Sequence, residues 1–182
     1  NEHYRLALTE NQLALVHALE KDLGYEFTTK RLALEAITHP SYRVDFSGSY
    51  QRLEFLGDAV LDFFTLRYLY MKNKNASPGV LSEYKHASVN NQAFSYLCVK
   101  HNLHKHMRVV NGELVYAIRK FEEECHKCSS MHEIDALAPK PLGDLFEAIA
   151  GIINRSSIYY SKERMDIIKL LLFEFIELDD ST

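Results

Sequence analysis

The chain has 182 residues, 47% of them hydrophobic, which predicts one domain over 1–182 with a core from about residue 10 to 178. A formal net charge of −4 speaks against a partner held mainly by bulk electrostatic attraction, although carboxylates gathered around divalent cations can leave a chain acidic. With no apolar run near the ~18 residues of a membrane span, no resemblance to a signal peptide and only Cys98, Cys125 and Cys128, the expectation is an intracellular protein, cytoplasmic or nuclear, with no membrane partner.

Gly and Pro are scarce and the apolar spacing is helical, so the fold class is all-α. Thr9 with Gln12 forms a capping box, and Leu8 with Leu13 a hydrophobic staple, opening a helix that buries Leu13, Val16 and Leu19 and ends near Gly24. A second helix runs from about Lys30 to Ile37 and stops at His39-Pro40, because the residue before proline avoids the α region. After a loop from Ser41 to Ser49, a long helix spans about Tyr50 to Met71. Ser77-Pro78 is an N-cap and N1 pair for a segment that continues, with a break, through Asn90 and Asn91 to about Lys100. The stretch from His101 to Ala138 is the least regular, with a helix from Gly112 to about Glu124. Further helices are expected over about Lys140–Asn154 and from after Ser161 to near Leu178, followed by a frayed tail.

Two segments carry chemistry. In QRLEFLGDAVLDFF, Gln51 to Phe64, the helix is apolar nearly all round and should be buried, yet Glu54 and Asp58 sit in it one turn apart on one face. LGDLFEAIAGII, Leu142 to Ile153, repeats the arrangement with Asp144 and Glu147, and Gly151 on that face would admit another helix or a substrate backbone. One acidic pair at helical spacing is ordinarily a solvated face, but a solvated face should carry other polar residues. Burying like charges is costly unless a cation compensates. If the two helices pack together, four carboxylates form an all-oxygen cluster suited to Mg²⁺ or Mn²⁺. Two such ions about 4 Å apart hydrolyse phosphodiesters in many enzymes. Spacing alone supports a hard-metal site and leaves its chemistry open.

At these residues the chain resembles the RNase III family. QRLEFLGDAVL from Gln51 to Leu61 matches the signature helix, and GDLFEAIAG from Gly143 to Gly151 the second motif. Thr38-His39-Pro40-Ser41-Tyr42 matches a THxSY-type motif, and Pro78 to Glu83 running on to Val89-Asn90-Asn91 a fourth. The resemblance implies an all-α RNase III endonuclease domain that works as a two-fold dimer or pseudo-dimer. Glu54, Asp58, Asp144 and Glu147 would be its catalytic, metal-binding residues, with Mg²⁺ as cofactor and Mn²⁺ able to substitute. The implied substrate is double-stranded RNA, and the products carry a 5′ phosphate and a 3′ hydroxyl with short 3′ overhangs. The implied protein partner is a second copy or another RNase III domain. Phe55 matches the aromatic residue that inserts into the partner domain, the other reading being core packing. Gln51 stands where the family usually has glutamate, and YQRLEFLGDAVLD is especially similar to the second RNase III domain of Dicer proteins. No double-stranded-RNA-binding domain is expected after Leu178 and no helicase or PAZ segment before residue 1, which fits a Dicer fragment or a free-standing minimal enzyme.

Lesser features have two readings each. Lys140, four residues before Asp144, is a phosphate contact or a solvated first-turn lysine. Asn90, Asn91 and Glu83 either support the site or are surface and packing polarity. Asp62 should pair locally. Cys125, Cys128 and His132 lack an obvious fourth ligand, so exposed loop cysteines are preferred to zinc. His101, His104 and His106 are expected on a polar surface that could meet phosphates. Recognition of A-form RNA should rest on shape, 2′-hydroxyls and phosphates. The alternative function is an inactive RNase III-like module for dimerisation or RNA binding; retention of all four acids argues against it.

Overall fold

The structure, a computed structural model, describes residues 7–45 and 47–155. Seven α-helices follow one another there: α1 (Glu10–Leu23), α2 (Lys30–Ala36), α3 (Gln51–Lys72), α4 (Pro78–Ser88), α5 (Asn91–Lys100), α6 (Gly112–Lys127) and α7 (Lys140–Arg155). Short 3-10 turns occupy Leu103–His106 and Met131–Glu133. Among the described residues there is no β-strand, only a single parallel bridge between Thr38 and Arg108. The helix expected after Ser161 and the tail lie outside the described residues.

Local chemistry sets the helix ends. Thr9 and Gln12 form the reciprocal capping box of α1, which closes on Gly24 at φ 61°, a left-handed position that costs glycine little. Ser77 caps α4 through the Val80 N–H, with Pro78 in its first turn. The break between α4 and α5 falls at Val89, and Asn90 then caps α5 by accepting the Ala93 N–H. Asn111 caps α6, which runs to Lys127, one turn beyond the expected end.

Helix α7 is the centre of the molecule, with Leu142, Leu145, Phe146, Ile149, Ile152 and Ile153 all buried. It packs along α3 on one side and α5 on another, where the Phe94 and Phe146 rings stack at 5.4 Å. Val16 and Leu19 of α1 are buried as expected, but Leu13 is half-buried. Helix α3 is not covered all round. Leu53, Val60, Leu61, Phe64 and Leu69 are buried, whereas Phe55, Phe63, Leu66, Tyr70 and Met71 face outward. Helix α4, which contributes no buried residue, lies against α3 and is tied to it by Lys85 and Asp62 at 2.6 Å. Asp62 thus pairs locally, as its position suggested.

Candidate active site

Helices α3 and α7 meet where neither has a side chain. A Cβ on Gly57 would lie 1.7 Å from the carbonyl oxygen of Glu147, and one on Gly151 2.3 Å from that of Leu53. The two backbones therefore touch, and Gly151 admits a neighbouring helix. The close crossing gathers Glu54, Asp144 and Glu147, whose ligand oxygens all lie within 4.8 Å of one another. Asp144 is buried, and Glu54 and Glu147 are half-buried. Asp58, one turn beyond Glu54, is exposed and stands outside that group, although its charge still acts on Glu147.

Burial, then the charges of Asp58, Asp144 and Glu54, pushes the Glu147 carboxyl up to about 8. Burial, followed by Asp144, also raises Glu54 against the opposing pull of Lys140. Lys140 places its Nζ 2.5 Å from Asp144 Oδ1 and 3.4 Å from Glu54 Oε1, and these bonds raise its own pKa. One ammonium thus faces three carboxylates, a shortfall of positive charge that a divalent cation would relieve. The all-oxygen donor set suits a hard cation of the Mg²⁺ or Mn²⁺ kind.

Behind the carboxylates lies a polar clasp. Arg108, 7% exposed, donates to Thr38 Oγ1 at 2.9 Å and Ser47 Oγ at 2.7 Å, pairs with Asp45, and lies 4.2 Å from the centre of the Tyr42 ring. Burial alone would raise Asp45, but bonds from Ser47, Arg108 and Gln12 outweigh it and hold the carboxyl at about 2. The clasp anchors the Thr38-to-Tyr42 motif beside the first turn of α3. His39 accepts the Ser41 N–H on Nδ1 at 3.0 Å and sits edge-on to the Tyr50 ring. Burial lowers its pKa, with the charge of Asp144 opposing.

Other candidates fall elsewhere. Asn90 spends its side chain on capping α5 and on the carbonyls of His86 and Ala87. Asn91 packs against Gly143, where a Cβ would meet its Oδ1 at 2.3 Å, and donates to the Ala138 carbonyl. It braces the approach to α7 and makes no bond to a carboxylate of the cluster. Glu83 is exposed on α4, and Gln51 is exposed and accepts from Ser49. Cys125 is not an exposed loop cysteine but is buried in α6, because the helix continues past Glu124. Among the described residues, Cys125, Cys128 and His132 are not drawn together as metal ligands. His104 is buried rather than on a polar surface, with Nε2 3.0 Å from Glu122, and His106 pairs with Asp22 at 2.8 Å.

Tyr50 escaped the sequence reading except as the start of a helix. It is buried, and its hydroxyl donates to Asp144 Oδ2 at 3.3 Å. One signal was available: Tyr50 lies four residues before Glu54, on the face that carries Glu54 and Asp58.

A family model for the ribonuclease III domain matches residues 51–155. The chain belongs to the ribonuclease III family. It is 39% identical over 166 residues to endoribonuclease Dicer homolog 2 of Arabidopsis thaliana, covering 88% of this chain and 12% of that protein. With endoribonuclease Dicer homolog 1 of Oryza sativa the identity is 44% over 143 residues, 75% of this chain and 8% of the relative. The chain thus spans about a tenth of these relatives' length. Among solved structures, the nuclease domain of ribonuclease III from Campylobacter jejuni superposes with a TM-score of 0.64 at 29% identity, over 90% of this chain and 96% of that one. A second structure of that domain gives 0.61 at 28% identity, over 95% and 97%. The first is described as having a region involved in dimer formation.

Proposed function

We propose that the chain is a Mg²⁺-dependent endoribonuclease domain that hydrolyses double-stranded RNA, with Mn²⁺ able to substitute. The observation that carries this reading is the Glu54, Asp144 and Glu147 cluster, three carboxylates held together between two largely apolar helices. These three, with Asp58 beside them, would hold the cation and are the catalytic residues. A bound divalent cation supplies an activated water and charge stabilisation at the leaving oxygen.

The chain's own groups do the rest. Lys140, whose side chain is 72% exposed, can turn from Asp144 toward a substrate phosphate. The apolar walls of α3 and α7 keep the dielectric low around the acids, which strengthens their hold on a cation. Two domains, each cutting one strand, would leave a 5′ phosphate and a 3′ hydroxyl with short 3′ overhangs. The partner would be a second copy or another RNase III domain, meeting Phe55 on the uncovered face of α3. A place in RNA processing or RNA silencing is part of this proposal, in keeping with the likeness to the endoribonuclease Dicer homologs.

Long double-stranded RNA incubated with the chain in Mg²⁺, in Ca²⁺ or in EDTA tests the reading. Cutting is expected in Mg²⁺ alone, and Glu147→Ala should reduce it to background. Cutting that survives Glu147→Ala sinks the assignment, and RNA binding without cutting would leave an inactive RNase III-like module.

A further inference from the structure

Asp144 holds a donor on each oxygen, and the two donors differ in kind. Lys140 reaches Oδ1 on a long and largely exposed side chain. Tyr50 reaches Oδ2 from a ring that is 2% exposed. A carboxylate oxygen offers only lone pairs, so in this contact the phenol is the donor.

What fixes Tyr50 does not depend on α7. Its backbone N–H donates to the Thr38 carbonyl at 3.0 Å, and its own carbonyl accepts from Leu53 and Glu54 at 2.8 Å each. Thr38 is held in turn by its hydroxyl bond to the Leu34 carbonyl at 2.6 Å and by Arg108. The edge of His39 closes on the ring at a centroid distance of 5.8 Å. The phenol is therefore a buried donor on an anchored backbone, reaching across the helix crossing to the most buried acid of the cluster. A ligand carboxylate is oriented by such outer partners, because they set which lone pairs face the cation.

We propose that Tyr50 is a positioning residue that orients the Asp144 carboxylate for divalent-cation binding. This rests on the reading that the carboxylates hold a cation. At 3.3 Å the bond is long, so its contribution lies in direction more than in strength. Tyr50→Phe keeps the ring and removes only the donor.

Mn²⁺ binding to the RNA-free chain, followed by loss of the free-ion signal in electron paramagnetic resonance, is the decisive measurement. Tyr50→Phe should raise the Mn²⁺ Kd about tenfold, the lower end for loss of an outer-shell partner. In parallel, the Mg²⁺ concentration for half-maximal cutting should rise, while the KM for RNA stays put because Tyr50 is buried. A purely structural role would lower the melting temperature and leave the Kd unchanged, which overturns the proposal. Wild-type chain that binds no Mn²⁺ overturns the cation reading together with this one; equal Kd values in wild type and variant overturn this one alone. Should Tyr50→Phe fail to fold, ¹³Cζ-tyrosine spectra of the wild type carry the test. Addition of Mg²⁺ must then shift the Tyr50 resonance, and its failure to move overturns the proposal.

Discussion

At the scale of single residues, Glu147 shows what the crossing of two helices does to an ordinary acid. Its carboxyl is raised from 4.5 to about 8 by burial and by the neighbouring acids. Between those values the folded, metal-free chain keeps a proton that the unfolded chain releases. Its contribution to stability is therefore full below the unfolded value and is lost as pH rises through about 8. Thermal melts without metal should give a lower melting temperature in mildly alkaline than in mildly acidic buffer, and Glu147→Gln should flatten that slope. Mg²⁺ should stabilise the chain most at the alkaline end, where it no longer competes with the proton. A slope that Glu147→Gln leaves intact would remove Glu147 as its source. That these acids are out of place was legible in the sequence, since charges inside apolar helices demand an explanation. The bond from Tyr50 was not, because Asp144 lies 94 residues away, nor was the pairing of Arg108 with Asp45 across 63.

At the scale of elements, the ends of α1, α4 and α5 were readable because caps and turns depend on a few neighbouring residues. The surroundings of α3 were misjudged for the opposite reason. Its composition is apolar on every side, but composition does not say what covers each side, and the face carrying Phe55, Phe63, Leu66 and Tyr70 is left bare. The crossing with α7 is the element on which the site depends most. Gly57→Ala would place a methyl group 1.7 Å from the Glu147 carbonyl oxygen, so the helices must part. Overpacking of this kind costs about 1–3 kcal/mol or more. Chemical denaturation should register that loss, and stabilisation by Mg²⁺ should fall with it as Glu54 moves away from Asp144 and Glu147. Unchanged stability and an intact Mg²⁺ effect would show that the crossing tolerates separation.

At the scale of the whole molecule, the outward face of α3 carries large apolar side chains, Phe55, Phe63, Leu66 and Tyr70, that the other described residues leave exposed. Phe55 is 83% exposed, so among the described residues it is not packed into the core. An exposed apolar stripe of this kind marks an interaction surface more often than a solvated one. Phe55→Ala should lower the mass measured by light scattering toward that of a single chain. The stability of the dissociated chain should change by no more than about 0.5 kcal/mol, as expected for an exposed position. A chain that keeps its mass after the substitution would show that Phe55 is not an anchor.

The sequence by itself determined the helical class and most helix ends, because periodicity and capping are local properties, and it set four acids apart as charges placed in apolar helices. The tertiary structure decided how those acids stand. Gly57 and Gly151 let two backbones touch, which draws three carboxylates within 4.8 Å and leaves Asp58 at the rim. It also supplied Tyr50 as their neighbour. Which side chains share a space depends on how distant helices cross, and that is fixed by packing between them rather than by the spacing within either one.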